Sequence, residues 1–254
     1  MQEFDSPPHI LILGGTGDAN KITLNIKSNP NIKAAITLSL AGRTKSPNLP
    51  DCRVITGGFS GVEGLKNYLE NQAISAVIDA THPFADKITN HAYQACEILH
   101  IPLCRFERAA WVQQPSDDWY FAENMDACVK VAPTLGKVIL LTTGSKDLAK
   151  FMTMTKVKIL ARMVELPPDI KLAPFVAPLF ARGPFDLDEE RALLSTHKID
   201  LIIAKNSGGE ATSAKLIAAR ELKIPVLLVE RPKLPPIYTV DSLDDVSNWL
   251  KNNL

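Results

Sequence analysis

Short, continuous apolar runs alternate with helix-length amphipathic stretches along most of this chain. His9–Gly14 is the first such run, and its lack of polar alternation marks a strand buried on both faces. Glycines follow, then Asp18–Lys27 with helical periodicity. Apolar stretches recur at Lys33–Leu40, Arg53–Thr56, Ala76–Ala80 and Ile101–Phe106, with helices predicted up to about Asn71 and from Pro83 to Leu99. Over Arg108–Tyr120 the pattern breaks into an aromatic and polar linker. It resumes with strands at Lys137–Leu141, Lys156–Arg162, Val176–Arg182, Asp200–Lys205 and Val226–Glu230 and a helix over Gly209–Leu222. A last helix, Asp241–Leu250, opens on Asp and Ser with Asp244 and Asp245 in its first turn. Strands alternating with helices of this length predict a parallel sheet covered on both faces.

Two halves of the chain look like imperfect copies. A shift of 123 residues pairs Ala95 with Ala218, Leu99 with Leu222, Ile101-Pro102 with Ile224-Pro225 and Glu107-Arg108 with Glu230-Arg231. The expected architecture is therefore α/β: two Rossmann-like lobes, each a parallel sheet flanked by helices, related by a weak internal repeat. Residues 1–110 form the expected nucleotide-binding lobe and 120–254 the substrate-binding lobe. The active-site cleft is expected between them, since ligands prefer such clefts.

Composition narrows the partners. Lys+Arg and Asp+Glu balance at 28 each, so no global field draws the protein to nucleic acid or to a membrane, and an anionic ligand must be held by locally placed cations. Cys52, Cys96, Cys104 and Cys128 lack zinc or disulfide spacing and read as small buried hydrophobes. No apolar run reaches the roughly 18 residues of a membrane helix, and the opening MQEFDSPPHI is acidic without an apolar signal segment. A cytoplasmic monomer or weak oligomer is the expectation.

Candidate chemistry starts at Gly14-Gly15-Thr16-Gly17-Asp18-Ala19-Asn20, at the carboxyl end of the first strand. A missing Cβ lets the backbone approach a pyrophosphate, and the amides of the following helix supply its hydrogen bonds. The dinucleotide fingerprint G-x-G-x-x-G is met at two of its three glycines, with Asn20 at the third. After the second strand, where an acidic residue would hold a ribose 2′-OH, the chain has Gly42-Arg43-Thr44-Lys45. A guanidinium there suits a 2′-phosphate, so NADPH is preferred to NADH. The bland alternatives are a ligand-free tight turn and a solvated arginine.

Further candidates sit beyond the carboxyl ends of other strands, the usual ligand crevice of such sheets. Thr81 and His82 follow Ala76–Ala80, and the 123-residue shift brings His82 onto Lys205. His82 is a candidate proton donor or nicotinamide neighbour, with a packing histidine as the plain alternative. Lys205 with Ser207, Gly208 and Gly209 reads as an anion cradle. Thr142-Thr143-Gly144-Ser145 repeats the strand–glycine device, Arg182 ends a strand at a turn, and Arg108 with Trp111 marks the linker. No metal constellation, HExxH, P-loop or G-x-S-x-G elbow occurs, which argues against hydrolases and kinases.

Together these motifs resemble the precorrin-6A reductase family. The carrying residues are Gly14-Gly15-Thr16, Ala41-Gly42-Arg43, Gly57-Gly58-Phe59, Asp79-Ala80-Thr81-His82-Pro83-Phe84-Ala85, Thr142-Thr143-Gly144, Gly183-Pro184-Phe185, Lys205-Asn206-Ser207-Gly208-Gly209, Ile224-Pro225-Val226 and Arg231-Pro232. They span nearly the whole chain in order, and the block from Asp79 is the most specific. The chain departs from the family pattern in having Asp18 where Glu is common and Ser60 after Phe59, changes that leave the phosphate site intact. The resemblance implies a cobalamin-pathway reductase that delivers hydride from NADPH to a ring double bond of precorrin-6A, or its cobalt form, to give precorrin-6B. It places the cofactor at Gly14–Ala19, Arg43, Gly58, Thr81 and His82. The polycarboxylate tetrapyrrole falls to Arg108, Trp111, Thr143, Gly144, Arg182, Lys205, Ser207–Gly209 and Arg231. It names no firm proton donor: His82 and water both stay open. The rivals are another NADP-dependent oxidoreductase, although no Tyr-x-x-x-Lys pair occurs, and a non-catalytic nucleotide-binding sensor.

Overall fold

The structure is a computed structural model and describes residues 7–41 and 50–254. The chain divides into two compact units, Met1–Arg108 with Lys233–Leu254, and Ala109–Pro232.

In the first unit the strands are β1 (His9–Leu13), β2 (Ala35–Leu40), β3 (Arg53–Thr56), β4 (Ala76–Asp79), β5 (Leu103–Phe106) and, from the end of the chain, β12 (Tyr238–Val240). They form one parallel sheet in the order β3-β2-β1-β4-β5-β12. This is the doubly wound arrangement, in which the order reverses beside β1 and leaves a crevice at the carboxyl ends of β1 and β4. Successive side chains of a strand face opposite ways. Ile10 and Ile12 of β1 therefore pack with Ile22 and Ile26 of α1 (Gly17–Ser28) and with Val246, Trp249 and Leu250 of α8 (Leu243–Asn253). Leu11 and Leu13 pack with Leu65 and Leu69 of α2 (Gly61–Asn71) and Ala92 and Ala95 of α3 (Asp86–Leu99). Burial on both faces is why β1 reads as an unbroken apolar run.

The second unit holds β6 (Trp119–Ala122), α4 (Met125–Leu135), β7 (Val138–Leu141), the one-turn α5 (Leu148–Phe151), β8 (Lys158–Met163), β9 (Val176–Phe180), α6 (Leu187–Thr196), β10 (Leu201–Lys205), α7 (Ala214–Leu222) and β11 (Val226–Val229). Its parallel sheet runs β9-β8-β7-β10-β11-β6. The two sheets thus share one order, but the sixth strand of the first arrives last in the chain and that of the second arrives first.

Two expectations need correction here. The segment 233–254 belongs to the first unit, not to a lobe over 120–254: β12 pairs with β5, and Val240, Val246, Trp249 and Leu250 fill the first core. The expected linker over Arg108–Tyr120 runs into β6, an edge strand whose Tyr120 and Phe121 are exposed, so no periodic pattern announces it.

The internal repeat is present in backbone detail, with a slip. The turn leaving α2 has Ala73 at φ 46°, with Ala73 N bonded to Glu70 O and Ile74 N to Leu69 O. At an offset of 125, Lys198 has φ 52°, Lys198 N bonds Ser195 O and Ile199 N bonds Leu194 O. The turn leaving α3, with His100 at φ 54° and Ile101 N on Cys96 O, returns at an offset of 123 in Lys223 and Ile224. Strand register carries the same slip: Val77 N bonds Pro102 O where Ile202 N bonds Pro225 O. On β4 and β10 the counterpart of Lys205 is therefore Ala80, and His82 corresponds to Ser207. The 123-residue alignment of His82 on Lys205 misses the two-residue difference in loop length before α3 and α7.

Candidate functional site

In the first unit the site forms where β1 and β4 end. Gly14 N donates to Ser39 O at 2.8 Å, and a Cβ on Gly14 would lie 2.7 Å from Leu38 Cδ1 and 3.3 Å from Ser39 O, so a side chain here would press on the buried Leu38 and crowd the β2 backbone. Gly15 turns the chain at φ 102°, a left-handed value that disfavours side chains. Thr16 caps α1: its Oγ1 accepts from Ala19 N at 3.2 Å and donates to Ala80 O at 2.7 Å, tying this turn to the end of β4. Among the described residues, a Cβ on Gly15 or Gly17 would meet nothing within 4 Å. The first turn of this twelve-residue helix has amides that lack intrahelical acceptors, one of them, Ala19 N, taken by Thr16. This donor set suits a diphosphate.

Beside it, Asp79 is fully buried and accepts four hydrogen bonds: Thr81 N at 3.1 Å, Thr81 Oγ1 at 2.6 Å, Thr89 Oγ1 at 2.6 Å and Arg105 Nη1 at 2.6 Å. Arg105, itself buried, is held by Glu107 at 2.8 Å, and its Nη2 has no hydrogen-bond partner among the described residues. This network fixes the turn that carries His82. The His82 Nδ1 accepts from Phe84 N at 3.2 Å, which leaves the proton of the neutral ring on Nε2. Gly58 lies exposed on the turn after β3, and Arg43 falls outside the described residues.

Arg108, expected among the substrate residues, is ion-paired with Asp18 in the first turn of α1, next to the glycine turn. The carboxylate also lies 4.0 Å from Lys21. Two cations there reduce the repulsion Asp18 would exert on an anion at the helix end.

In the second unit Trp111, Lys205, Ser207, Gly208, Gly209 and Arg231 come together. Trp111 N donates to Asn206 Oδ1 at 2.9 Å, and its indole Nε1 donates to Gly209 O at 3.0 Å. Arg231 Nε donates to Asn206 O at 2.9 Å and its Nη2 to Ser207 O at 3.2 Å, so it braces the turn. Gly208 has φ 67°, and a Cβ there would come within 1.9 Å of Ala109 O. Lys205 Nζ donates to Asp147 Oδ2 at 2.7 Å, which brings the Thr143-Gly144 turn beside it. Thr143 Oγ1 is buried without a hydrogen-bond partner among the described residues, and Gly144 turns at φ 80°. Arg182 is exposed after β9, and among the described residues no contact joins it to this cluster.

The sequence reading passed over several groups. Asp79 and Arg105 are charges inside apolar strands, a signal visible in the sequence. Arg162, inside β8, carries the same signal, while Lys215 and Glu190, on helices, had none. The buried amine of Lys215 lies 4.7 Å from the Trp111 ring centroid, while Arg162 pairs with Glu190 and stacks 4.0 Å from the Phe185 ring centroid. Burial, helped by the Arg162 charge and opposed by Glu190, lowers the Lys215 pKa to about 7. Among the described residues no His, Cys, Asp and Glu side chains gather as a metal site, and no helix is long and apolar enough to cross a membrane.

Comparison with known proteins agrees with this arrangement. Residues 9–251 match the model of the family "Precorrin-6x reductase CbiJ/CobK". The chain is 41% identical to a precorrin-6A reductase of Rhodococcus erythropolis, covering 94% of each, and 36% identical to that of Rhodobacter capsulatus, covering 96% of each. It is 27% identical to a cobalt-precorrin-6A reductase of Priestia megaterium over 96% of this chain and 98% of that one. A solved structure of CobK precorrin-6A reductase superposes with a TM-score of 0.89 at 36% identity, over 97% of both chains. With both sheets, both turns and nearly every residue inside these matches, the chain belongs to the precorrin-6x reductase family and is an oxidoreductase of cobalamin biosynthesis.

Proposed function

We propose that this enzyme uses NADPH to reduce a ring double bond of metal-free precorrin-6A, giving precorrin-6B in the cytoplasm. The observation that carries the cofactor half is the Gly14–Gly17 turn. It closes on β2 through Gly14 and sets Gly15 and Gly17, where an added Cβ would meet nothing within 4 Å among the described residues, at the start of a twelve-residue helix. The preference for the metal-free substrate follows the identities, 41% and 36% to precorrin-6A reductases against 27% to a cobalt-precorrin-6A reductase.

In this reading the first unit binds the cofactor. The turn at Gly14–Gly17 holds the diphosphate, Arg43 takes the 2′-phosphate, and Gly58, Thr81 and His82 line the rest. When bound, the reduced nicotinamide supplies the hydride. The protein orients the reactants and excludes water, which is where an enzyme of this kind gains its rate. His82, steered by the Phe84 amide on Nδ1, presents its Nε2–H to the reacting face as a hydrogen-bond donor, and the proton for the carbon next to the one receiving hydride comes from water. The second unit takes the substrate, a polyanion that a chain with 28 basic and 28 acidic residues must hold by local cations. Lys205 is the foremost of these.

The test is turnover of purified protein with NADPH and either precorrin-6A or its cobalt form, followed by the pigment and nicotinamide absorbances. Reduction of the metal-free form at the higher kcat/KM is expected. Binding of NADPH without turnover of either form would refute the assignment and favour a sensor. Arg43→Ala is expected to weaken NADPH at least about ten-fold more than NADH, as loss of a phosphate-paired guanidinium should. Equal losses would remove Arg43 from the 2′-phosphate.

A further inference from the structure

The two units repeat their first βα turn as well as their later ones. The pairing of Ile78 with Ile12 and of Ile203 with Leu141, combined with the offset of 125 on β4 and β10, sets an offset of 129 between β1 and β7. On that offset Gly15 corresponds to Gly144, and both have positive φ, 102° and 80°. Thr16 corresponds to Ser145, and Asp18 to Asp147. Each aspartate holds a cation supplied by another strand end: Asp18 pairs with Arg108, which follows β5, and Asp147 pairs with Lys205, which ends β10. The cations are not repeat counterparts, since Arg108 corresponds to Arg231 and Lys205 to Ala80. The carboxylate position thus persists in both halves while its partner comes from a different element in each.

We propose that Asp147 is a positioning residue for substrate recognition: it fixes the Lys205 ammonium at the carboxyl edge of the second sheet, in the place where a carboxylate of the substrate meets it. The proposal rests on the reading that the second unit takes the substrate. A lysine ammonium has three donors on a four-carbon stem, and one bond to a fixed carboxylate removes most of its rotational freedom before the ligand arrives. The pair is well placed for this, with side-chain exposures of 14% for Lys205 and 18% for Asp147: shielded enough to be ordered, open enough to be reached. The Lys205–Asp147 bond also joins the segment after the Thr143-Gly144 turn to the cluster around Trp111 and Arg231.

A double-mutant cycle tests it. In the full-length enzyme, Asp147→Asn is expected to raise the KM for the tetrapyrrole about ten-fold, the order of the freedom returned to a lysine side chain. kcat and the Kd for NADPH should stay within about two-fold. Lys205→Met should raise the same KM at least as far, and adding Asp147→Asn to it should change nothing more, because the aspartate acts through the lysine. Asp147→Glu, which keeps the charge, should recover most of the loss. An unchanged or lowered KM in Asp147→Asn overturns the proposal, as does a further multiplication of KM in the double variant. Failure of the underlying reading looks different: Lys205→Met alone would then spare the KM and weaken NADPH.

Discussion

At the scale of single residues, the sharpest consequences come from groups whose surroundings change what they can do. Lys215 is one. Its amine is buried against Trp111 near Arg162 and Glu190, and its pKa falls from 10.5 to about 7. Between those values the unfolded chain carries a proton that the folded one does not, so stability rises with pH from about 7 toward 10 and is lowest below 7. Urea titrations across that window should show the rise in the parent and a flatter curve in Lys215→Met. His82 is the other. With Nδ1 accepting from Phe84 N, glutamine can keep an acceptor there but not the ring's Nε2–H donor. His82→Gln should lower kcat by about ten-fold, the order of one hydrogen bond lost at the reacting face, and weaken NADPH by no more than about ten-fold. A kcat near the parent's would remove His82 from the reacting face.

Individual elements show how little a sequence pattern says about which sheet a short strand joins. β12 is three residues long, and only its pairing with β5 places it in the first unit. What secures it is α8, whose Val246, Trp249 and Leu250 lie in the same core as Ile10 and Ile12. Trp249→Ala leaves a large void there and should cost about 3 kcal/mol or more, measured by denaturant unfolding. The cost should fall on the first unit although the residue lies past the second in sequence. β6 makes the same point from the other side. Its exposed Tyr120 and Phe121 gave no alternation, and its strand character is decided by β11, which it pairs along its full length.

On the scale of the whole molecule, the four cysteines can report on both units at once. Burial pushes Cys96, Cys104 and Cys128 up to about 12, while Cys52 is raised less and remains half-buried. Since the thiolate is the reactive form, native protein at pH 8 should take up iodoacetamide at Cys52 alone, and denatured protein at all four, by mass spectrometry. Cys96 and Cys104 follow the first unit and Cys128 the second, so the order of labelling at intermediate urea tells which unit opens first.

By itself the sequence determined the fold class, the presence of a repeat and the position of the glycine turn between β1 and α1. Each depends on local signals: apolar runs a strand long, glycines where backbone must turn tightly, and a helix start directly after them. What the sequence left open depends on contacts between residues far apart. The two-residue slip in the repeat needed hydrogen-bond register, because identity at Ile101-Pro102 and Ile224-Pro225 says nothing about the loop before them. The pairing of Arg108 with Asp18, 90 residues away, and of Lys205 with Asp147, 58 residues away, needed the sheets to bring strand ends together. So did the four bonds that converge on Asp79. A charge announces itself in a sequence, but only tertiary structure chooses its partner, since that choice is made by which chain ends a folded sheet sets side by side.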